Sequence, residues 1–184
     1  MKRLQTLSIP AHLRGSGGIS SLVLVPLSLA ALLIAAPAAE AQLPQGVSAA
    51  DAATPQEAEV LAVVDRLFDA MRARDADMLQ EVFHPDARML VAPREGEAPT
   101  PASMQPVDGF IESIGAEGPP IHEPYFDPEV RIDGHLAHVW TFYHLYQGEE
   151  FSHCGYDSFE LVRTPEGWRI VFIAYTLRAE GCGV

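Results

Sequence analysis

The sequence has 184 residues, of which 12 are basic and 25 acidic, so its formal net charge is −13 at pH 7. Such an acidic surface repels nucleic-acid phosphates and anionic lipid headgroups, which excludes nucleic acid as a partner. Lys2 is the only lysine and lies in a segment that we expect to be cleaved, so the mature protein cannot use a lysine Schiff base or a lysine general base.

The N-terminal segment has the pattern of a signal peptide. Lys2 and Arg3 precede an apolar run of about 18 residues, and Pro37 then leads to an Ala-x-Ala motif that ends at Ala41. An uncleaved anchor is the alternative, but a run of this length that contains proline and serine is marginal for a membrane span. We therefore expect a signal peptide at residues 1–41 and an exported protein, periplasmic or secreted, without membrane contact after cleavage.

The mature chain is predicted to begin with a linker and two helices. Residues 42–53 are small and polar, which predicts a flexible linker before a single domain at residues 54–184. Thr54-Pro55-Gln56-Glu57 is a capping box, and apolar residues at helical spacing predict a long amphipathic helix at about 55–73. A second, short helix follows and ends before Pro85, which cannot continue its hydrogen bonds.

The remainder of the chain is predicted to consist mainly of strands. Residues 87–92 form a short strand, residues 93–106 an exposed loop and residues 107–114 a small third helix. Four longer strands joined by tight turns are predicted at residues 129–133, 136–147, 151–163 and 168–178. Helices that precede an antiparallel meander are typical of an α+β domain, in which the helices cover one face of a curved sheet.

The length of the first long hairpin turn predicts which side chains share a face of the sheet. A two-residue loop pairs Gln147 with Glu150 and places Asp157 opposite Trp140. We expect this face to pack against the helices, because it is rich in large apolar groups. Its predicted members are Trp140, Phe142, His144, His153, Gly155, Asp157, Phe159 and Leu161. The predicted opposite face carries Thr141, Tyr143, Cys154, Tyr156 and Ser158.

The second hairpin has two possible registers. A two-residue loop pairs Thr164 with Gly167 and places Phe172, Ala174 and Thr176 on the face of Asp157. A three-residue loop with a bulge pairs Thr164 with Trp168 and places Val171, Ile173 and Tyr175 there instead. The sequence does not choose between these registers.

Asp157 is the candidate catalytic residue. A carboxylate among apolar side chains has a raised pKa, because burial disfavours the charged form, and it can then act as a general base near neutral pH. The alternative is a structural aspartate that is paired with Arg88 or Arg178.

Aromatic and histidine side chains are predicted to line a ligand pocket together with Asp157. The predicted ligand-binding residues are Trp140, Phe142, Tyr143, His144, His153, Asp157, Tyr175 and His84. Core packing is the alternative for the tyrosines, and a solvated loop position is the alternative for His84. No metal site and no cofactor are expected, because Gly155 separates His153 from Asp157 along the strand and no compact ligand motif is present.

The two cysteines, Cys154 and Cys182, are expected to form a disulfide in an oxidising compartment, with two buried thiols as the alternative. Neighbouring residues of a strand point to opposite faces, so Cys154 and His153 do not form a Cys-His-Asp triad with Asp157. The sequence also lacks a Gly-x-Ser-x-Gly motif and a phosphate-binding glycine loop. Nucleophilic catalysis is therefore disfavoured.

Four segments resemble the nuclear transport factor 2-like (NTF2-like) superfamily. They are Phe83-His84-Pro85-Asp86-Ala87, Gly134-His135-Leu136-Ala137-His138-Val139-Trp140, Phe151-Ser152-His153-Cys154-Gly155-Tyr156-Asp157-Ser158-Phe159 and Glu166-Gly167-Trp168-Arg169-Ile170-Val171. The resemblance covers about residues 54–182 and is strongest to an exported SnoaL-like, "putative lumazine-binding" branch. It implies a cone-shaped α+β barrel that has a pocket at its open end and often forms homodimers across the outer face of the sheet.

The resemblance and the residues together give three functional hypotheses. The first is an exported protein that binds a small hydrophobic or aromatic molecule. The second is an isomerase, dehydratase or hydrolase that uses Asp157 as general base, since enzymes of this superfamily use a pocket Asp or His. The third is a non-catalytic dimerisation module. A second titratable group beside Asp157 in an open cone would favour the enzyme, and a closed apolar cone would favour the module.

Overall fold

The computed structural model describes residues 43–48, 52, 54–92 and 104–183. The predicted signal peptide, part of the predicted linker and most of the predicted 93–106 loop lie outside the described residues. No helix in the described ranges is long and apolar enough to cross a membrane. Within the predicted linker, the Val47 amide donates to the Tyr125 carbonyl over 2.8 Å, and the flexibility of this segment stays a prediction.

In the part of the chain that the structure describes, three helices form where the local sequence favours them. The first, α1 (Pro55–Ala73), begins at Thr54, whose hydroxyl accepts a hydrogen bond from the Glu57 amide. The second, α2 (Ala76–Val82), begins at Asp75, whose carboxylate accepts from the Met78 amide, and α3 (Asp108–Gly115) follows the loop. All three match helices that the sequence predicts to within a few residues.

Within the described ranges, seven strands form one curled sheet that does not close. The strands are β1 (Phe83–Val91), β2 (Gln105–Pro106), β3 (Ile121–His122), β4 (Tyr125–Asp133), β5 (Leu136–Gln147), β6 (Glu150–Thr164) and β7 (Gly167–Tyr175). Their order is β2-β1-β7-β6-β5-β3, and β4 also pairs with β5. Neighbours are antiparallel except for the parallel pair β1–β7. The predicted α+β class is confirmed, whereas the two-residue strands β2 and β3 were not predicted.

The core lies between α1 and one face of this sheet, which we call the inner face. Val60 and Val64 of α1 are fully buried, as are Leu161 and Ile170 of the sheet. The ring of Phe68 packs edge-on against that of Phe159, with 6.2 Å between centroids. Burial of these apolar groups is the main stabilising contribution to the domain.

The predicted register of the first long hairpin is correct only near its turn. Gln147 pairs with Glu150 as expected, but Ser152 is an extra residue in β6 that opens a β-bulge. Beyond it Thr141, rather than Trp140, lies opposite Asp157. A shift of one residue moves a whole strand segment to the other face, since side chains alternate.

Because of this bulge, the predicted positions of three pocket residues are wrong. Trp140, Phe142 and His144 lie on the outer face of the sheet, with Cys154 and Tyr156 as their cross-strand neighbours. The predicted inner position of these three side chains is therefore wrong. Their places on the inner face are taken by Thr141, Tyr143 and Leu145. His153, Gly155 and Asp157 are on the inner face, as predicted.

The second hairpin combines features of both predicted registers. Thr164 pairs with Gly167 around a two-residue loop, but an extra residue at Val171 opens a bulge in β7. Beyond the bulge Ile173 and Tyr175 lie on the face of Asp157. The two-residue loop was therefore the correct prediction for the turn. The register with a bulge was the correct prediction for the side chains that share the face of Asp157.

A disulfide fixes the C-terminal segment to the outer face. Cys154 and Cys182 are bonded, with 5.8 Å between their Cα atoms, as the sequence predicts. Between β7 and Cys182 the backbone of Arg178 exchanges two hydrogen bonds of 2.9 Å with Cys154. The imidazole Nε2 of His144 lies 2.9 Å from the Cys182 carbonyl oxygen, so this segment covers His144.

Gly155 permits the closest approach between β6 and this C-terminal segment. A Cβ atom at position 155 would lie 2.0 Å from the Thr176 carbonyl oxygen and 2.9 Å from Cε1 of Tyr143. Both distances are shorter than any tolerated contact. The missing side chain therefore lets the Tyr143 ring cross the strand and donate a hydrogen bond of 2.8 Å to that same carbonyl.

Replacing Gly155 with alanine should destabilise the domain by about 1–3 kcal/mol, because backbone must move to accept the methyl group. Gly109→Ala in α3 is the matched control, since a Cβ there meets nothing within 4 Å. The control should be neutral or slightly stabilising, because alanine favours helix. Urea unfolding measures both, and equal midpoints for Gly155→Ala and the unmodified protein would refute the proposed contact.

Candidate functional site

A cavity of about 360 Å³ lies between α1, α3 and the inner face of the sheet. The residues that line it are Leu67, Phe68, Met71, Met89, Phe110, Ser113, Ile114, Ile121, Glu123, Tyr143, Leu145, Gln147, His153, Asp157, Phe159, Ile173, Tyr175 and Leu177. Gln147 and Ser113 are exposed, whereas Tyr143 and Asp157 are buried. The open side of the cavity is therefore near Gln147 and Ser113, and its floor is near Asp157.

Two carboxyl groups meet in this cavity. Asp157 lies in the middle of β6, and Glu123 directly follows the short strand β3. Their side chains are hydrogen-bonded to each other, and the residues are only 4% and 6% exposed. Two carboxyl groups form such a bond only when one of them is protonated. The arrangement is therefore a buried acid pair that shares a proton.

Burial raises the pKa of both groups. The pKa of Asp157 rises to about 8, mainly because burial disfavours its charge, while the hydrogen bond from Glu123 opposes this shift. The pKa of Glu123 rises well above its ordinary value, first through burial and then through the charge of Asp157. Burial thus keeps one proton shared between the two carboxyl groups, and the pair carries at most one negative charge near neutral pH.

Glu123 was missed in the sequence, which shows only a chain break after Pro119 and Pro120. One pattern in the sequence could have indicated that Glu123 is buried. Every second residue from Ile121 to Tyr125 points the same way, and all three of these side chains are buried. An acidic residue at the middle of a short buried alternation is unusual, because an isolated charge is costly to bury. Neither Arg88 nor Arg178, the predicted structural partners of Asp157, forms a hydrogen bond or an ion pair with it. Arg88 bonds to backbone carbonyls, and Arg178 lies over Phe142 on the outer face.

Two tyrosines complete the polar part of the site. Tyr143 and Tyr175 both line the cavity, and the pKa of each hydroxyl is raised, first by burial and also by the charges of the acid pair. Both therefore stay neutral in the physiological range; the Tyr143 hydroxyl donates to the Thr176 carbonyl, and the Tyr175 hydroxyl can donate to a ligand. Tyr175 is on the face of Asp157, as one of the two predicted registers has it, whereas the predicted assignment of Tyr143 to the opposite face is wrong.

His153 lines the cavity near its open side. It is partly exposed, its ring stands edge-on to that of Tyr143 at 5.7 Å, and its Nδ1 lies 3.0 Å from the Ser152 hydroxyl. The bulge at Ser152 determines this position, because it places His153 opposite Leu145 rather than opposite His144 in the neighbouring strand.

The other predicted site residues are not brought to the cavity. Trp140 stacks on Tyr156 with 5.1 Å between ring centroids, on the outer face. Phe142 and His144 lie beside this pair. His84 is at the start of β1, where its Nδ1 accepts from the Asp86 amide, outside the cavity. Within the described ranges, no cluster of three or more His, Cys, Asp and Glu side chains has a geometry suited to a metal ion.

Solved structures with a similar fold come from several bacteria. An NTF2-like protein from Cytophaga hutchinsonii superposes with a TM-score of 0.56 at 14% identity, over 68% of this chain and all (100%) of that one. A protein from Streptomyces avermitilis, titled a putative dehydratase from the NTF2-like family, gives 0.54 at 18% identity, over 68% and 99%. At these identities the likeness shows the fold alone. No curated protein matches the chain.

The fold is that of solved NTF2-like proteins, which confirms the fold that the sequence resemblance implies. The model of the family described as "Putative lumazine-binding" matches residues 55–176, and the chain belongs to this family.

Asp157→Asn should remove a pH-dependent loss of stability. The pKa of this carboxyl is 3.8 unfolded and about 8 folded, so between these values the folded protein holds the extra proton. The free energy of unfolding therefore falls as pH rises from about 4 to about 8, by on the order of a few kcal/mol. Asparagine does not ionise, so the melting temperature of the variant should exceed that of the unmodified protein increasingly toward pH 8.

Asp86→Asn is the control, because that side chain is 90% exposed and its melting curve should run parallel to the unmodified one. Calorimetry at intervals of half a pH unit from pH 5 to 8.5 measures the melting temperature of each variant. Parallel curves for Asp157→Asn would mean that Asp157 is already ionised at pH 5.

Proposed function

We propose that this protein is exported and binds a small hydrophobic or aromatic molecule in the cavity on the inner face. The observation that carries the proposal is the buried acid pair at the floor of an open, mostly apolar cavity. A buried pair with raised pKa values costs stability, and proteins retain such groups most often at functional sites. The cavity volume lies within the usual range of small-molecule sites, about 300–1,000 Å³.

The lining suits a molecule with a flat apolar body and a polar end. Phe68, Phe110 and Phe159 offer ring surfaces, and aliphatic side chains such as Met71 fill the space between them. The polar groups are few and lie together at the floor, where Asp157 and Tyr175 would orient one end of the ligand. Binding would combine burial of the apolar body with a small number of directed hydrogen bonds.

Acid–base catalysis is the second candidate, and the Glu123–Asp157 pair favours it. Asp157 would take a proton as general base, and Glu123 or the Tyr175 hydroxyl would donate to the developing charge. A pKa of about 8 makes Asp157 a strong base once ionised, although only about one molecule in ten is ionised at pH 7. The remaining hypothesis, a module with a filled core, is the least supported because the cavity is open.

A second copy of the chain is the proposed partner. The stacked side chains Trp140 and Tyr156 are 38% and 36% exposed on the outer face, and Phe142 and Phe126 lie beside them. We call these four residues the outer aromatic surface. Aromatic groups that stay exposed together are typical of protein interfaces, since covering them removes apolar area from water.

Native mass spectrometry of protein recovered from the periplasm tests ligand, subunit number and export together. We expect a dimer whose subunits begin at residue 42 and carry a co-purified small molecule. Leu145→Trp should lose the molecule, because Leu145 lines the cavity and the larger ring occupies its space. Leu136→Trp is the control on the same strand, since Leu136 is 52% exposed and lies outside the cavity.

Each part of the proposal has its own contradicting result. A ligand-free mass, or unchanged occupancy in Leu145→Trp, would contradict binding in this cavity. A single subunit would contradict the dimer, and a chain that retains residues 1–41 would contradict cleavage. Conversion of the released molecule by the unmodified protein but not by Asp157→Asn would favour the enzyme over the binding protein.

A further inference from the structure

Within the described residues, the Asp157 carboxyl has one hydrogen-bond partner, Glu123. Asp157 nevertheless lines the cavity, and a carboxylate can accept several hydrogen bonds. A buried carboxyl with so few donors is rare in folded proteins, because it has lost its water without full replacement. A ligand in the cavity can supply a further donor, so the position of Asp157 indicates where the polar end of that ligand binds.

The charges around the cavity favour a positive group at this place. The described lining contains two acidic residues and neither arginine nor lysine. The titratable groups that face Asp157 are Glu123, Tyr143 and Tyr175, with His153 nearer the open side. Arg178 is on the other face of the sheet, with its guanidinium carbon 5.5 Å from the centroid of the Phe142 ring. Once ionised, the acid pair repels a carboxylate or phosphate and attracts a cation.

The aromatic walls also suit a cation. Tyr143 and Phe159 border the cavity beside Asp157, and Phe68 packs against Phe159. The faces of such rings attract a positive charge as well as apolar surface. An aromatic or aliphatic body along α1 with a charged nitrogen at the floor would satisfy both parts of the lining.

We propose that the ligand is a hydrophobic amine or a protonated nitrogen heterocycle, whose N–H donates to the Asp157 carboxylate. This inference rests on the proposed function and names its ligand class. One proton stays shared between Glu123 and Asp157, so the pair carries one negative charge that matches the one positive charge of the ligand. The ion pair is then enclosed, and each of its partners is hydrogen-bonded.

Proton release follows from this arrangement. Without ligand the pair is mostly protonated at pH 7, because the pKa of Asp157 is about 8. A cation binds the ionised pair, so binding at pH 7 releases about one proton. Affinity should rise about tenfold per pH unit from pH 6 toward 8, and it should fall again where the amine itself loses its proton.

Three probes of nearly equal shape test the ligand class. They are 1-naphthylmethylamine, 1-naphthalenemethanol and 1-naphthoic acid, which are positive, neutral and negative at pH 7.5. Isothermal titration should show the amine binding about tenfold tighter than the alcohol, since one charge-assisted hydrogen bond accounts for such a ratio. The acid should bind weakest. Titration in phosphate and in Tris should show release of about one proton.

Two variants test the role of Asp157. Asp157→Asn should abolish the preference for the amine while alcohol binding changes little, because the neutral amide keeps the shape and loses the charge. Asp86→Asn, at the exposed surface, should keep the preference. Circular dichroism and the alcohol affinity show that the Asp157→Asn cavity is intact.

The results separate this inference from the proposed function. Equal affinities for amine and alcohol, or a preference that survives Asp157→Asn, would overturn the inference and leave small-molecule binding in place. Binding by none of the probes would overturn it too, and the co-purified molecule would then decide the proposed function alone. Tightest binding by the acid would contradict the charge argument directly.

Discussion

The two bulges at Ser152 and Val171 decide which side chains face the helices. Each bulge adds one residue to a long strand. In the paired strands, the side chains beyond the bulge therefore face the opposite side of the sheet from that expected for a regular hairpin. Without them Asp157 would lie opposite Trp140, and Phe172 would replace Ile173 on the inner face. With them Asp157 lies opposite Tyr175 and Thr141, and Trp140, Phe142 and His144 of β5 lie on the outer face. The cavity and its acid pair both depend on these two insertions.

Gly155 and the disulfide fix the C-terminal segment against β6, the strand that carries Asp157. Gly155 lets the Tyr143 ring reach the Thr176 carbonyl, and the Cys154–Cys182 bond fixes the segment that carries this carbonyl. The two faces of β6 therefore have different roles. The inner face carries the titratable group of the cavity, and the outer face anchors the C-terminal segment. This explains how a short stretch of β6 can combine a histidine, a cysteine and an aspartate without forming a catalytic triad.

Most of the fold was predictable, because its signals are local. The cap at Thr54, the turn at Gly148 and the even pair of cysteines predicted α1, the first long hairpin and the disulfide. The bulges were not predictable in the same way, since an extra residue is tolerated or not according to contacts across the sheet. Trp140 and its neighbours were assigned to the wrong face for this reason. Glu123 was missed because β3 is only two residues long and pairs with the distant end of β5.

The central claim is that Asp157 shares a proton with Glu123 at the floor of the cavity, where both residues are buried. Its most direct test is carbon-13 NMR of aspartate carboxyl groups, with the Asp157 signal assigned by its loss in Asp157→Asn. We expect this signal to titrate near pH 8, because burial raises the pKa of that carboxyl to about 8, and to shift when Glu123 is replaced by glutamine. A midpoint near pH 4 that ignores Glu123→Gln would contradict the buried pair.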